Sequence, residues 1–485
     1  MCGIIGCFGE QFFEQHLELI RHRGPDSSGF VREGDITLGH TRLSIQDLSS
    51  AGCQPLYSED KSVVIVYNGE IYDYEKLKSE LSNDGFRFKG HSDTEVILNL
   101  YLKEGESLLE RLNGIFSFAI WDRRSEKLLL ARDRFGVKPL YYTQNEAGFM
   151  FASELKVLLS SPYTRRNLNY KAVMNHLTYL WSPSPDTMIE GIKKLEPGNA
   201  LLVCKNGITK KWQYQKSSYL KKKSLINQND AIIETRRLVS QAVKRQLISD
   251  VPVGAFLSGG LDSSAVVAFA KEHYRDQKIQ TFSIDLQGMG KSSEGVTDDL
   301  PYAKLVAKHL GVDLNIIKVG PEIINSLEDM IYHLDEPQAD PAALNVMYIS
   351  KLAKESGIKV LLSGAGGDDI FTGYRRHFAI NQEQYWKWLP MPFRKLISSS
   401  AKSLPVKNHF VRRIAKTFMY ADLSERQRLV SYFYWINPER LGDIFSSSTN
   451  AQLSNYDVSS SLINSLDDIP DDLNPTDKML FLETK

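Results

Sequence analysis

Before about residue 205, short apolar or alternating runs recur at Ser62 to Tyr67, Phe116 to Trp121 and Lys127 to Ala131, with Gly, Asn and Asp turns between them. Runs of that length bounded by turn residues predict strands. Tyr74 to Leu81 and Thr94 to Leu102 instead carry apolar residues at helical spacing, so the expectation for 1–205 is an α+β domain rather than an all-β barrel. From Lys205 to Asn229 the chain turns polar and Lys-rich, which predicts a surface linker at 206–229. After Asp230 the pattern becomes helix, apolar strand, Gly-rich turn, helix, with strands expected at Ala255 to Leu257, Thr281 to Ile284 and Val360 to Leu362. That alternation predicts an α/β domain over 230–485, a parallel sheet with helices on both faces. Ligands of such sheets sit beyond the carboxyl ends of the strands, and both Gly-rich turns follow a strand.

The length of 485 residues suits two to four domains, and 42% hydrophobic with 24% charged residues excludes wholesale disorder and fibrous repeats. Lys plus Arg and Asp plus Glu are both 59, a balance that argues against a polycation built to coat nucleic acid. No apolar run approaches the roughly 18 residues of a membrane span, and the N-terminus lacks a basic segment followed by an apolar one, so a soluble cytoplasmic protein is expected. The four cysteines, Cys2, Cys7, Cys53 and Cys204, have neither metal-ligand spacing nor the density of a disulfide scaffold. Cys2 stands apart because removal of Met1 would leave a thiol and a free α-amine on one residue, a nucleophile with its own base.

Thiol attack on an amide also needs an oxyanion donor. Asn68-Gly69, directly after the strand ending at Tyr67, offers a side-chain amide and a backbone N–H, although Asn-Gly alone is above all a turn signal. In the second half, Phe256-Leu257-Ser258-Gly259-Gly260-Leu261-Asp262-Ser263-Ser264 follows a strand and opens a helix near Ser263. Glycines, a helix N-terminus and Ser hydroxyls make an anion cradle, in which Asp262 is best placed to hold Mg²⁺ against phosphate oxygens. The plain alternative is a glycine turn with a Ser N-cap. Gly290-Lys291-Ser292 ends like a Walker A loop, but Asp285 stands at the first-glycine position; Gly364-Ala365-Gly366 opens like a dinucleotide fingerprint, but Asp369 stands at the third.

Met1-Cys2-Gly3-Ile4-Ile5-Gly6, Arg21-His22-Arg23-Gly24-Pro25-Asp26, Arg42-Leu43-Ser44-Ile45, Asn68-Gly69-Glu70-Ile71-Tyr72, Ser92-Asp93-Thr94-Glu95 and the block from Arg132 to Tyr141 resemble, in order, the glutaminase domain of class II glutamine amidotransferases. The resemblance implies an N-terminal-nucleophile αββα sandwich with Cys2 as nucleophile and Asn68 and Gly69 as the oxyanion hole. Glutamine would lie against Arg42, Leu43, Ser44 and Ile45, with its carboxylate on Arg42 and its amino group on Glu70 and Asp93. Arg23 and Asp26 are read as a structural ion pair without a catalytic role.

The Ser258 to Ser264 block resembles the pyrophosphate loop of ATP pyrophosphatases, and the run from Leu361 to Tyr374 follows the second motif of the asparagine synthetase (glutamine-hydrolysing) family. This implies an α/β parallel-sheet ATP-pyrophosphatase domain, with Leu257, Ile284, Ser363 and Gly364 around the adenylate and Asp262 and Asp368 on Mg²⁺. The function implied is glutamine-dependent, ATP-consuming amidation of a carboxylate through an acyl-adenylate, aspartate by default, in a homodimer. Ala365 replaces the acidic residue that asparagine-making members carry, which opens the alternative of a sugar acid or other carboxylate in surface-polysaccharide synthesis. A non-enzymatic regulatory relative is the alternative of another class. The family pattern also continues beyond Lys485, so an incomplete synthetase domain is expected. Finally, Gln384 to Ala421 has no Asp or Glu but carries Lys387, Arg394, Lys395, Lys402, Lys407, Arg412, Arg413 and Lys416 among Tyr385, Trp386, Trp388, Phe393 and Phe410. Surface helices with their aromatics packed inward are the expected reading, and peripheral contact with an anionic membrane is the alternative.

Overall fold

The computed structural model describes residues 1–9, 12–215, 227–274, 278–287, 299–340, 342–405 and 408–484. Twelve strands build the first half: β1 (Gly3–Phe8), β2 (Ser27–Glu33), β3 (Ile36–Arg42), β4 (Leu56–Tyr57), β5 (Val63–Ile71), β6 (Gly114–Asp122), β7 (Lys127–Arg132), β8 (Tyr141–Asn145), β9 (Gly148–Ala152), β10 (Ile192–Lys194), β11 (Asn199–Cys204) and β12 (Gly207–Gln213). They form two six-stranded sheets in the orders β10-β8-β9-β1-β3-β2 and β12-β11-β7-β6-β5-β4, with every pairing antiparallel.

Strand periodicity divides the side chains into layers. From β5, Val63, Ile65 and Tyr67 pack on helices α1 (Tyr74–Asn83) and α2 (Asp93–Glu104), whereas Val64 and Val66 face Ile4, Phe8 and Leu38 of the other sheet. From β1, Ile5 and Cys7 turn the opposite way, onto Leu17 and Ile20 of the 3₁₀ segment Glu14–Arg23 and Leu155 and Leu158 of α3 (Leu155–Leu159). The result is helix, sheet, sheet, helix: the αββα sandwich. A further helix, α4 (Tyr170–Tyr179), carries Tyr179 into a core shared with the C-terminal helices.

The segment 206–229 is not a linker throughout. Residues 207–213 form β12, which pairs with β11 and lays Trp212 against the core below α1 and α2; residues 216–226 lie outside the described residues. The stretch reads as polar because β12 is an edge strand whose Lys210 and Lys211 face solvent.

Helix α5 (Gln228–Gln246) opens the second half, and β13 (Val253–Phe256), β14 (Gln280–Leu286), β15 (Asp313–Val319) and β16 (Val360–Leu362) form an all-parallel sheet in the order β15-β14-β13-β16. Helices α5, α6 (Leu261–His273) and α7 (Leu300–Leu310) cover one face through Val243, Val267 and Ala303; α8 (Leu327–Leu334) and α9 (Ala342–Glu355) cover the other, with Ile349 and Ala353 on Phe282. Because β14 and β15 add to one side of β13 and β16 to the other, the strand order reverses at β13/β16, and a crevice opens there at the carboxyl edge. Beyond it, helices α10 (Gly367–Phe371), α11 (Arg375–Gln382), α12 (Met391–Lys402) and α13 (His409–Phe418) lead to a last helix, Pro475–Glu483, whose Met479 and Leu482 join Tyr179 and Ile380 in one core.

The aromatics between Gln384 and Ala421 do not pack inward as expected. Trp386 does, its ring 5.5 Å from Phe418, but Tyr385, Trp388, Phe393 and Phe410 are 60–72% exposed. Lys407 lies outside the described residues. No described helix is long and apolar enough to cross a membrane.

One buried carboxylate fixes the loop after β7. Asp133 has no exposed surface and accepts backbone N–H bonds from Phe116 (3.2 Å), Phe135 (3.0 Å), Val137 (3.0 Å) and Lys138 (3.0 Å). Asp133→Asn would put an NH₂ donor against those donors; we expect a loss of about 2–3 kcal/mol in urea unfolding, the usual scale for bonds to a buried charge.

Candidate active site

Cys2 lies just before β1, with its Sγ 3.4 Å from the backbone N of Leu43 at the end of β3. Burial raises the pKa of the thiol, and the neighbouring N-terminal amino group partly opposes that shift. Burial pushes the α-amino group of Met1, next to Cys2, down to about 5. Asn68, on β5, is buried with its Nδ2 lacking any hydrogen-bond partner, which marks a donor held for something absent. Gly69 is pressed against β6: a Cβ there would sit 2.4 Å from the Ile115 carbonyl oxygen, so no side chain fits beside that donor.

A cavity of about 310 Å³ joins these groups to Arg42, Leu43, Ile45, Glu70 and Asp93. Of the predicted glutamine residues only Ser44 is off its wall; its backbone N–H donates to Asp26 instead (2.8 Å). Arg42 is fixed by its own turn, Nη1 donating to the Ser49 carbonyl (3.0 Å) and Nη2 to that of Asp47. Asp93 accepts from the Tyr67 hydroxyl (2.7 Å) and the Ile71 N–H (2.9 Å), and Glu70 accepts from Gln46 Nε2. Burial raises both carboxyl pKa values, and for Glu70 the Asp93 charge raises it further. Two facing carboxylates under that strain are a seat for a cation, and the ammonium of an amino acid fits it.

The rest of the cavity wall comes from the other domain. Arg245, Gln246 and Ile248 at the end of α5 and Lys359 to Leu362 along β16 close it. Asp250 clamps the loop after Arg42, its Oδ2 accepting from the Asp47 N–H (2.7 Å) and the His91 ring (2.7 Å), while its own N–H bonds the Ile45 carbonyl (2.9 Å). Arg23 and Asp26 do not form the ion pair expected of them. Asp26 reaches Lys359 at 2.7 Å, and Arg23 turns to Glu154 at 2.7 Å, each favouring a partner brought in by the fold over its neighbour in the turn.

At the other end of β16 the two Gly-rich turns meet. Gly259 adopts φ +86, and a Cβ on it would lie 2.4 Å from the Ala303 N, so the turn after β13 closes only with glycine. Ser258 and Ser263 hydroxyls are 3.0 Å apart, Ser258 N–H donates to Ser263 Oγ (3.3 Å) and Gly260 N–H to Ser258 Oγ (3.3 Å), and Ser264 Oγ donates to the Gly260 carbonyl (2.7 Å), so the serines tie the turn to the start of α6. Asp262 packs where a Cβ on Gly367 would come within 2.3 Å of its carboxyl, and its pKa is raised by burial and by Asp368. Ser363 and Gly364 sit in this second turn; Leu257 is fully buried beneath the first, in the core under α6. Ile284 is half-buried, on the side of β14 toward α9. Gly290 to Ser292 lie outside the described residues. No described group of three or more His, Cys, Asp or Glu forms a full metal cage, but Asp262 with Asp368 suits Mg²⁺, which takes one or two carboxylates and completes its shell with water and substrate phosphates.

Lys138 was missed by sequence reasoning. It is buried on the cavity wall, where desolvation lowers its pKa beside Glu70 and Cys2. A Lys in a loop reads as solvated, and only the Asp133 turn shows why it is drawn in.

The raised carboxyl pKa values set a sign for stability. Glu70 binds its proton more tightly folded than unfolded, so its stabilisation is present at low pH and is lost as pH rises through the folded pKa. Glu70→Gln should therefore melt higher than the native chain at pH 8, the gap closing toward pH 5, while losing glutamine binding; calorimetry across pH checks it.

The N-terminal residues 1–215 match the glutamine amidotransferase domain model, and 234–478 match that of asparagine synthase. The chain is 35% identical to asparagine synthetase (glutamine-hydrolyzing) 1 of Bacillus subtilis over 84% of its own length and 64% of the relative's, so it spans about two thirds of that protein. It is 34% identical to the putative asparagine synthetase (glutamine-hydrolyzing) 2 of Methanocaldococcus jannaschii, covering 90% of this chain and 86% of that one. Amidase chyE of Penicillium rubens is 32% identical, over 81% of this chain and 60% of the relative. With a glutaminase-type cavity walled by the strand that feeds a nucleotide-type turn, and both halves matched in the same order, the chain belongs to the asparagine synthetase (glutamine-hydrolysing) family.

Proposed function

We propose that the protein hydrolyses glutamine at Cys2 and delivers the ammonia to a carboxylate activated by ATP as an acyl-adenylate. The unpartnered Asn68 amide in one cavity with the Cys2 thiol carries this reading. After loss of Met1, the Cys2 amine takes the thiol proton and Sγ attacks the glutamine amide carbon, while Asn68 Nδ2 and the Gly69 N–H receive the developing oxyanion. Arg42 holds the substrate carboxylate, and Glu70 with Asp93 its ammonium. The amine returns the proton to the leaving ammonia, and water then releases glutamate and restores the thiol.

The second step needs ammonia at the carboxyl edge of the parallel sheet. Val360, Leu361 and Leu362 wall the cavity and are followed at once by Ser363 and Gly364. Three strand residues span about 10 Å, so the short apolar strand β16 supports direct passage between the sites. The N–H groups at the start of α6 and the Ser258, Ser263 and Ser264 hydroxyls would donate to pyrophosphate oxygens. Asp262 and Asp368 would hold Mg²⁺, which would supply charge to neutralise the leaving pyrophosphate.

Aspartate is the default acceptor. A larger carboxylate is favoured by one observation: exposed Ala365 presents only a methyl group beside the nucleotide turn, and its N–H is tied to Ser363 Oγ (3.1 Å).

Cys2→Ala should lose glutamine hydrolysis at least about 1000-fold while ammonia still supports pyrophosphate release. Asp262→Asn should do the reverse, and unchanged pyrophosphate release in it would refute the metal assignment. A panel of carboxylates assayed for glutamine-dependent pyrophosphate release identifies the acceptor; efficient asparagine formation is the outcome of the default and would overturn the larger acceptor, and a response to a sugar acid above that to aspartate would overturn the default.

A further inference from the structure

A line of buried charges runs from the second domain to the backbone of Cys2. It starts at Asp335, the residue after α8, whose left-handed backbone (φ 64) turns its side chain toward the glutaminase half. There Oδ2 accepts from the Leu155 N–H (2.6 Å) and Oδ1 stands 2.7 Å from Lys156 Nζ. Lys156 pairs on its other side with Glu154. Glu154 Oε1 takes the His22 ring N–H (2.9 Å) and Arg23 Nη1 (2.7 Å), and Arg23 Nε donates to the Cys2 carbonyl at 3.0 Å.

The links are close to dry. Side-chain exposure is 4% for Asp335, 13% for Lys156, 4% for Glu154 and 9% for Arg23, so solvent screens them little and a change at one end is felt at the next. Burial opposes ionisation of Glu154, but the His22 bond and the Arg23 and Lys156 cations hold its pKa down to about 2. It is a fixed charge rather than a titrating one.

The far end of the line leads toward the synthetase half. Helix α9 runs back to the start of β16, so its first turn lies toward the carboxyl edge of the sheet, the edge that bears both Gly-rich turns, and residues 335–340 connect it to α8. Glu336, next to Asp335, is held separately by Lys194 (3.0 Å), which touches no member of the line.

We propose that Asp335 and Lys156 are positioning residues for the glutaminase nucleophile, transmitting the state of the 335–340 turn through Glu154 and Arg23 to the Cys2 carbonyl. The inference rests on the glutaminase reading above. Arg23 fixes the peptide plane of Cys2 and so the direction from which Sγ meets the substrate; releasing Lys156 frees Glu154 to draw Arg23 away. The grip on glutamine, made by Arg42, Glu70 and Asp93, lies outside the line.

The test is steady-state glutamine hydrolysis by the whole chain. Asp335→Asn and Lys156→Met should each lower kcat about 10- to 100-fold with KM within about twofold, the range expected for a small misplacement of a reacting group. The double variant should be no worse than the weaker single one, because both cut one line. Asp335→Glu, which keeps the charge and guards against a variant that fails to fold, should retain most of the activity. Lys194→Met, which loosens the same domain contact off the line, should match the native chain. Native kcat in Asp335→Asn, additive losses in the double variant, or an equal loss in Lys194→Met would overturn the inference. Absence of hydrolysis in the native chain, or its persistence in Cys2→Ala, would instead overturn the glutaminase reading itself.

Discussion

Withdrawing two carboxylates from water into the same wall is unfavourable unless something cationic arrives, and the glutaminase half is organised around that constraint. Tyr67 and the Ile71 N–H steady Asp93, Gln46 steadies Glu70, and Lys138 is turned in beside them by the four N–H bonds of Asp133. None of these neighbours removes the strain, since Glu70 and Asp93 still hold their protons unusually tightly. Stability has been traded for a pair of carboxylates that favours a cation, the usual relation between an active site and its fold.

The second constraint is shared walls. The amino edge of the parallel sheet is not covered by its own helices alone but seated on the glutaminase cavity, with Asp250 before β13 and Lys359 before β16 both bonded across the boundary. A parallel sheet has two chemically different edges: strands enter at one and present turns at the other. Here the entry edge walls the cavity of the glutaminase half, and the exit edge carries both Gly-rich turns.

Much of this was legible in the amino-acid sequence, and the failures share a cause. Strands β5, β6 and β7 were visible because both their faces are buried and their apolar runs are unbroken, and the helices α1 and α2 because one stripe of each is buried. Strands β12 and β15 were not, since each lies at a sheet edge and carries polar residues among too few apolar ones to stand out from a loop. The cavity residues carried by motifs, Cys2, Arg42, Asn68, Gly69, Glu70 and Asp93, do come together, while Ser44 does not. Asp250 and Glu154 act through partners 203 and 131 residues away, and Lys138 through the Asp133 turn, and no local pattern encodes such a meeting. Arg23 and Asp26 show the same limit from the other side: adjacency suggested a pair, and the fold supplied each with a better one.

Asp250 has a consequence for how such a protein can change over generations. Its carboxylate belongs to one domain by chain position and to the other by what it holds, because the loop that carries Arg42's carbonyl partners is pinned through the Asp47 N–H. The halves are thus not interchangeable parts. A glutaminase unit moved by recombination onto a different partner would arrive with the loop after Arg42 unpinned at Asp47 and its Lys156 facing no carboxylate from beyond the boundary, so inheritance of the pair as a block is favoured over exchange of either piece.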